Sequence, residues 1–383
     1  MDRNALTAPV LQTLVRLPPP HAHAYAVVPQ APPADTLDLR PIIPRLEAAA
    51  RALERVQTLA TAMDAPFLVS RVLPRREAVS SSAVEGTYST LDALLQSEAG
   101  GEAASDTEQV RDYARVLEDV LPRAQAAGRA IFDGDLLAEL HRGVMRGDAR
   151  YGDVPGAFRD RVVWIGGSDI SRSTFNPPPP EQVAACLGDT LAYLRCDAHQ
   201  DLAQSLLTRM AVSHAHFEAV HPFRDGNGRV GRLLLPLMMA AEGQVPIYLS
   251  PYIEANRTAY MAALKAAQQR LEWHAIIGFL ADAVVATVAE LLALRADLEA
   301  LRGGWMMRRR FRSGSAAMRA LEVLIGYPVV NIGTLQEKLG VSAPAAGTAA
   351  AQLMAAGILR ELTGYRRNRI FVADEVLALY NRR

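Results

Sequence analysis

Apolar positions recur at helical intervals along most of the chain. Residues 38–98 read as helices: DLRPIIPRLEAAARALERVQTLATAM spaces Leu, Ala and Val as one helix face does. RREAVSSSAVEGTYSTLDALLQSEA divides into two helices joined near Glu85-Gly86-Thr87. GGEAASD interrupts the pattern, TEQVRDYARVLEDVLPRAQA resumes it, and DGDLLAELHRGVMRG opens another helix with Asp133 or Asp135 as its cap. Further helices are predicted at 181–195, 200–220, 229–242, 251–270 and 273–300. Residues 151–180 depart from the helical period. The run Val162, Val163, Trp164, Ile165, then Gly-Gly, a polar turn and four prolines, is the best hairpin candidate in the chain. In residues 1–35 the proline density rules out regular helix and predicts a segment that wraps the surface or is extended.

Residues 303–314, GGWMMRRRFRSG, read as a basic connector. Beyond it come the helices ALEVLIGY, IGTLQEKLG (ended by Gly340) and VSAPAAGTAAAQLMAAG. ILRELT and IFVA then form a strand pair around the basic turn GYRRNR. Three helices and a two-stranded wing outline a winged helix-turn-helix. The expected fold is mainly α, in three parts: an N-terminal helical region over 1–125, a helical core with a small hairpin over 126–302, and the winged module over 303–383.

A chain of 383 residues exceeds one ordinary core. Lys plus Arg and Asp plus Glu balance at 41 each, so no global field steers the whole chain to nucleic acid or an anionic membrane. The two cysteines, Cys186 and Cys196, match neither a disulfide framework nor a zinc spacing and are expected as buried thiols. His21 and His23 lack further ligands nearby. The start MDRNALTAPV has no leader character. AIIGFLADAVVATVAELLAL carries Asp282 and Glu290, so it is read as a packed helix and not a membrane span. A cytoplasmic location is the expectation. In residues 306–383 the balance is 12 Lys/Arg against 5 Asp/Glu, or 12 − 5 = +7. Arg366, Arg367 and Arg369 would line the wing turn and suit a phosphate backbone. The third helix offers only Thr348 and Gln352 for base contacts, so DNA and a protein partner stay equally open for this module.

The densest chemistry is His221 to Arg232, HPFRDGNGRVGR. Asp225-Gly226-Asn227-Gly228 predicts a tight turn whose glycines let backbone approach a ligand. A helix from about Arg229 would present unpaired N–H groups at its start, an anion site. Arg229 and Arg232, three apart, share a helix face and would grip polyphosphate. Asp225 is a hard acceptor suited to Mg²⁺. His221 could take a proton from a hydroxyl. No Walker spacing is present.

This stretch resembles the Fic signature, His-x-Phe-x-Asp/Glu-Gly-Asn-Gly-Arg-x-x-Arg, at every fixed position. The resemblance implies a protein adenylyltransferase, which moves AMP from ATP onto a Ser, Thr or Tyr hydroxyl of a target protein. It implies His221 as general base and Asp225 as Mg²⁺ ligand. Gly226, Asn227 and Gly228 become the phosphate nest, Arg229 and Arg232 the clamps, and Phe223 a buried anchor. Gly228 stands where the kinase-like Doc branch has lysine, which favours AMP transfer. PGAFR, Pro155 to Arg159, is similar to the stretch before the family's flap, a target-docking hairpin that would run from Val162 to Pro178. YLSPYIEANRTAYMAALKAA resembles the following helices, with Tyr252 and Asn256 near the nucleotide. SSSAVEGT resembles the family's inhibitory motif, Ser/Thr-x-x-x-Glu-Gly/Asn. It implies that Glu85, just before the helix stop Gly86, reaches Arg232, and that Ser81 steadies the helix. A deadenylylase using Glu85 and water, or a nucleotide-sensing DNA-binding regulator, are the alternatives. Dimerisation is common among relatives, and a homodimer is compatible with the chain.

Overall fold

The computed structural model describes residues 1–62, 71–364 and 368–382. It is mainly α, as the periodicity predicts. The N-terminal segment is more regular than its prolines suggest: one turn, α1 (Ala8–Leu11), then an antiparallel pair, β1 (Leu14–Arg16) and β2 (Tyr25–Val27). Pro9 is tolerated because it lies in the first helical turn, where its missing N–H has no helical partner.

The helices α2 (Ile43–Ala62), α3 (Val72–Val84), α4 (Leu91–Glu98), α5 (Ser105–Ala127) and α6 (Gly134–Met145) follow. The 151–180 region contains no regular strand. It is closed by one antiparallel bridge, Ile165 to Phe175. Gly166 and Gly167 turn with positive φ, a 3-10 turn occupies 170–172, and the prolines from Pro177 lack the N–H needed to extend pairing. The predicted hairpin is therefore reduced to a single rung. β2 lies beside it: Val27 N–H donates to Asn176 C=O at 2.9 Å, and His21 packs edge-on against Trp164.

The centre is formed by α7 (Pro180–Arg195), α8 (Leu206–Val220) and α9 (Asn227–Ala241). Every residue of α8 from Leu207 to Val220 is buried, as is α9 from Arg229 to Ala240. Helices buried all round must lie between others; α5, α6 and α8 pack on α9, and α7, α11 and α12 on α8. Burying Leu233, Leu234, Leu235 and Leu237 contributes about 1.5–3 kcal/mol each. Next come α10 (Ser250–Ala255), α11 (Arg257–Arg270) and α12 (Trp273–Arg308). By length and apolarity α12 would suffice to span a bilayer, and 61% of its most apolar window is buried within the structure, against α2, α8 and α11.

The connector expected from 303 is helical as far as Arg308. Trp305, fully buried, donates its Nε1–H to Glu375 at 2.9 Å, and this tertiary contact outweighs the two glycines. The last part holds α13 (Ala316–Gly326), β3 (Val329–Asn331), α14 (Ile332–Leu339), α15 (Ala343–Ala355), β4 (Arg360–Glu361), β5 (Ile370–Val372) and α16 (Asp374–Tyr380). Its sheet has three strands, not two, in the order β3-β5-β4. Arg366 and Arg367 lie outside the described residues. Arg369 pairs with Glu361, Arg360 with Asp374 and Arg308 with Glu375, so much of the local positive excess is neutralised in place. On α15 the Thr348 hydroxyl donates to Pro344 C=O at 3.0 Å.

Candidate active site

The turn between α8 and α9 runs through His221 to Gly226. Pro222 disfavours continued helix in the residue before it, and His221 takes a left-handed conformation (φ 50°) with its N–H still closing on Phe217 C=O. Gly226 (φ 77°) needs the freedom of glycine, and a Cβ there would lie 2.8 Å from Met145 Sδ. The helix begins at Asn227, two residues earlier than the expected start. The N–H groups of Asn227, Gly228 and Arg229 therefore precede the first helical hydrogen bond, Val230 N–H to Gly226 C=O at 3.0 Å. They point outward from the N-terminal end of a 15-residue helix, where the peptide dipoles favour an anion.

The Asn227 side chain is used within the turn. Its Oδ1 accepts from Phe223 N–H and its Nδ2–H donates to Phe223 C=O, both at 2.8 Å. Only its backbone can serve a nest. Phe223 is fully buried and stacks on His141, ring centroids 3.9 Å apart and 5° from parallel. His141 ties two further strands of backbone together. Nδ1 accepts from Gly156 N–H at 2.7 Å, which leaves Nε2 as the donor to Asp225 C=O at 3.0 Å. Burial pushes its pKa down to about 4, which keeps this tautomer neutral.

Arg159, from PGAFR, is 6% exposed and aims its guanidinium at the C-terminal end of α8. It donates to His221 C=O at 2.7 Å, Val220 C=O at 3.3 Å and Pro178 C=O at 2.6 Å. A cation there satisfies carbonyls that the helix leaves open and offsets its negative end. His141 and Arg159 were not singled out by sequence reasoning. The signal available was their place in LHRG and PGAFR, and their partners lie up to 84 residues away.

His221 opens to the mouth of the turn, its side chain 20% exposed. Burial, then the charge of Arg159, pushes its pKa down to about 4. Asp225 is exposed, its Oδ1 accepting from Gly226 N–H at 2.6 Å. The two arginines diverge. Arg229 is turned toward the end of α6, Nη1–H to Val144 C=O at 3.4 Å and Nη2 to Met145 Sδ at 3.0 Å, while its charge still acts on Glu85. The C-terminal end of α6 holds one guanidinium, and Ser81 with Glu85 holds the other.

Arg232, 1% exposed, donates Nε–H to Ser81 Oγ at 2.9 Å, and Nη2–H to Ser81 C=O and Glu85 Oε1 at 2.8 Å each. Ser81 thus holds the arginine directly. α3 stops at Val84 because Thr87 N–H turns back to Ser82 C=O and Gly86 adopts φ 87°. Burial acts to raise the Glu85 carboxyl, and the adjacent Arg232 outweighs it, leaving it below its ordinary range. That carboxyl lies over Gly228, where a Cβ would fall 2.0 Å from Oε1. α3 is pinned elsewhere too. Arg75 pairs with Glu98 and Glu118, Arg76 with Glu290, and buried Glu77 accepts from Ser250 N–H at 2.9 Å and Tyr113 O–H at 3.3 Å.

Of the flap residues, Trp164 is exposed and Val162, Val163 and Ile165 are half-buried. Among the described residues the backbone of Val162, Val163 and Trp164 forms no backbone hydrogen bond. Tyr252 packs on Phe279, and Asn256 Nδ2–H caps Tyr252 C=O at 2.9 Å. Cys186 and Cys196 are buried free thiols.

Residues 131–239 match the Fic/DOC family model, and residues 43–121 match the model of the Fic/DOC family N-terminal region. A probable protein adenylyltransferase of Aquifex aeolicus is 32% identical over 117 residues, 30% of this chain and 32% of that protein. A protein adenylyltransferase of Caenorhabditis briggsae is 35% identical over 133 residues, 35% of this chain and 24% of that protein. The chain thus matches about a third or less of these relatives' length. A Fic family protein from Desulfovibrio desulfuricans shares the fold over 90% of this chain and 98% of its own, with TM-score 0.55 and 19% identity. A Fic domain-containing signaling protein from Bacteroides thetaiotaomicron does so over 64% and 96%, with TM-score 0.50 and 19% identity. The signature turn and both matched models agree: residues 43–121 and 131–239 belong to the Fic/DOC family.

Proposed function

We propose that the chain is a self-inhibited protein adenylyltransferase, moving AMP from ATP onto a Ser, Thr or Tyr hydroxyl of another protein. One observation carries the reading: the α8–α9 turn gathers an imidazole, an exposed carboxylate and three backbone N–H groups ahead of the first helical bond. The relatives named as protein adenylyltransferases support it.

In this reading the α- and β-phosphates rest on the N–H groups of Asn227, Gly228 and Arg229. His221 is neutral at pH 7, since burial pushes it to about 4, and can accept the proton of the attacking hydroxyl. The oxygen bonds to the α-phosphorus, the bond to the β-phosphate oxygen breaks, and pyrophosphate leaves.

Among the described residues no three His, Cys, Asp or Glu side chains cluster as a self-contained metal cage. A single hard carboxylate such as Asp225 fits Mg²⁺, which readily takes its other ligands from phosphate and water. Asp225 would hold the ion, and the ion would neutralise charge on the polyphosphate.

The Glu85–Arg232 contact is the brake, because a guanidinium turned to Ser81 and Glu85 is withheld from the γ-phosphate. The free backbone edge at Val162 to Trp164 suits a target segment added as a strand.

The test is ATP labelled at either the α- or the γ-phosphate, offered to the Glu85→Gly protein. Label is expected to enter protein from the α-position only. Label from the γ-position, or none from either, would overturn the reading.

A further inference from the structure

Behind His221 lies a carboxyl that this reaction does not use. Glu218 stands one turn earlier on α8 and is 7% exposed, in the slot where α8 meets α9. A Cβ on Gly231 would lie 2.6 Å from its Oε1, so glycine at that place leaves the carboxyl its room. Glu218 Oε1 has no hydrogen-bond partner, and neither has the buried Nδ1 of His221. Glu218 Oε2 is 4.0 Å from that Nδ1. Native interiors seldom leave one buried polar atom unpaired. Here two neighbouring groups each carry one, and the unpaired Nδ1 stands about an ångström short of hydrogen-bond contact with the other carboxyl oxygen, Oε2, which points to a bond made when the ring turns toward substrate.

We propose that Glu218 is the positioning residue of His221: its carboxyl accepts the Nδ1–H, so that Nε2 carries the lone pair that takes the hydroxyl proton. The inference rests on the reading of His221 as general base.

The groups around the carboxyl are His214 on α8, Arg232 on α9, Glu85 just past the end of α3 and Tyr260 on α11; Arg159 faces the ring itself. Burial pushes Glu218 up to about 8, with Arg232 opposing and Glu85 adding to the rise. A carboxyl keeps an acceptor oxygen in either protonation state. As the proton reaches Nε2 the ring becomes imidazolium, and an acceptor oxygen at Nδ1 favours that state. The backbone carbonyl of Glu218 also faces the ring, without hydrogen-bond geometry, and is the competing acceptor.

Glu218→Ala and Glu218→Gln are compared in the Glu85→Gly protein, with His221→Ala as control. The measurements are AMP incorporation at saturating α-labelled ATP from about pH 5 to 9, ATP affinity, and the ¹⁵N spectrum of the His221 ring. Glu218→Ala is expected to lower kcat by about 10- to 1000-fold, between loss of an outer contact and loss of the correct tautomer. ATP affinity should hold, the acid limb of the pH profile should move, and the ring should shift toward the Nε2–H tautomer. Glu218→Gln should restore most of the rate, since its amide oxygen still accepts. Unchanged rate and tautomer in Glu218→Ala would assign the role to the backbone carbonyl and overturn the proposal. Equal failure of both variants with lost ATP binding would reduce Glu218 to packing and overturn it as well. If His221→Ala still transfers AMP, the base reading fails, and the ¹⁵N spectrum alone decides whether Glu218 orients the ring.

Discussion

Removing the Glu85 carboxylate with Glu85→Gly leaves Arg232 with its two bonds to Ser81. Deleting one partner of a fully buried ion pair costs about 3–5 kcal/mol, whereas an exposed pair contributes about 0–1 kcal/mol. This pair lies between those limits: the Arg232 side chain is 1% exposed and that of Glu85 is 34%. With Ser81 Oγ and C=O still satisfying Nε and Nη2, the contact is worth about 1–2 kcal/mol. The same energy opposes any ligand that must draw Arg232 away from α3. Its removal therefore raises the rate of AMP incorporation about 5- to 30-fold, at about 1.4 kcal/mol per tenfold. Ser81→Ala deletes the hydroxyl and spares the carbonyl, so it should give a smaller gain. The assay is the initial rate of protein labelling from α-labelled ATP. Equal rates in the wild type and in Glu85→Gly would refute the brake, whatever happens to ATP binding.

His221→Ala should lower transfer by about 100- to 10,000-fold and change the ATP dissociation constant less than about threefold, measured by calorimetry. Asn227→Ala removes two buried bonds to Phe223 and should destabilise the turn by about 1–3 kcal/mol, read as a lower denaturation midpoint together with weaker ATP binding. His141, His214, His216 and His221 are held near pKa 4, 3, 4 and 4 by burial. The unfolded chain takes up those protons first, so the stability they support is full above about pH 6.5 and is lost as pH falls toward 4, at up to about 1.4 kcal/mol per unit per histidine. Buried Glu77, Asp112 and Glu218, raised above their ordinary values, work in the opposite direction, three groups against four. The denaturation midpoint should therefore fall between pH 6.5 and 4; a flat profile would contradict the burial of neutral imidazoles.

The turn was legible because its demands are local. Gly226 is required by its own φ, and Asp225 and His221 lie within a few residues of it. The uses of long side chains were not. A three-residue spacing sets Arg229 and Arg232 on one helix face, yet each guanidinium follows the nearest acceptors, at Val144 and Met145 for one and at Ser81 and Glu85 for the other. Asn227 reads as a ligand group and instead braces Phe223. The Ser81–Glu85 contact with Arg232 spans about 150 residues and came from the family's motif, not from periodicity. Gly303-Gly304 reads as a break, but burial of Trp305 carries α12 through it. Three-residue β3 is too short to register as alternation. Glu218 gained meaning only once α8 was seen against α9.

The most direct measurement is a crystal structure of the Glu85→Gly protein with Mg²⁺ and a non-hydrolysable ATP analogue. The account predicts the α- and β-phosphates within hydrogen-bond distance of the N–H groups of Asn227 to Arg229, with His221 beside the α-phosphorus and Mg²⁺ on Asp225. Nucleotide bound at another place on the chain, with the α9 N-terminus left to solvent, would contradict it.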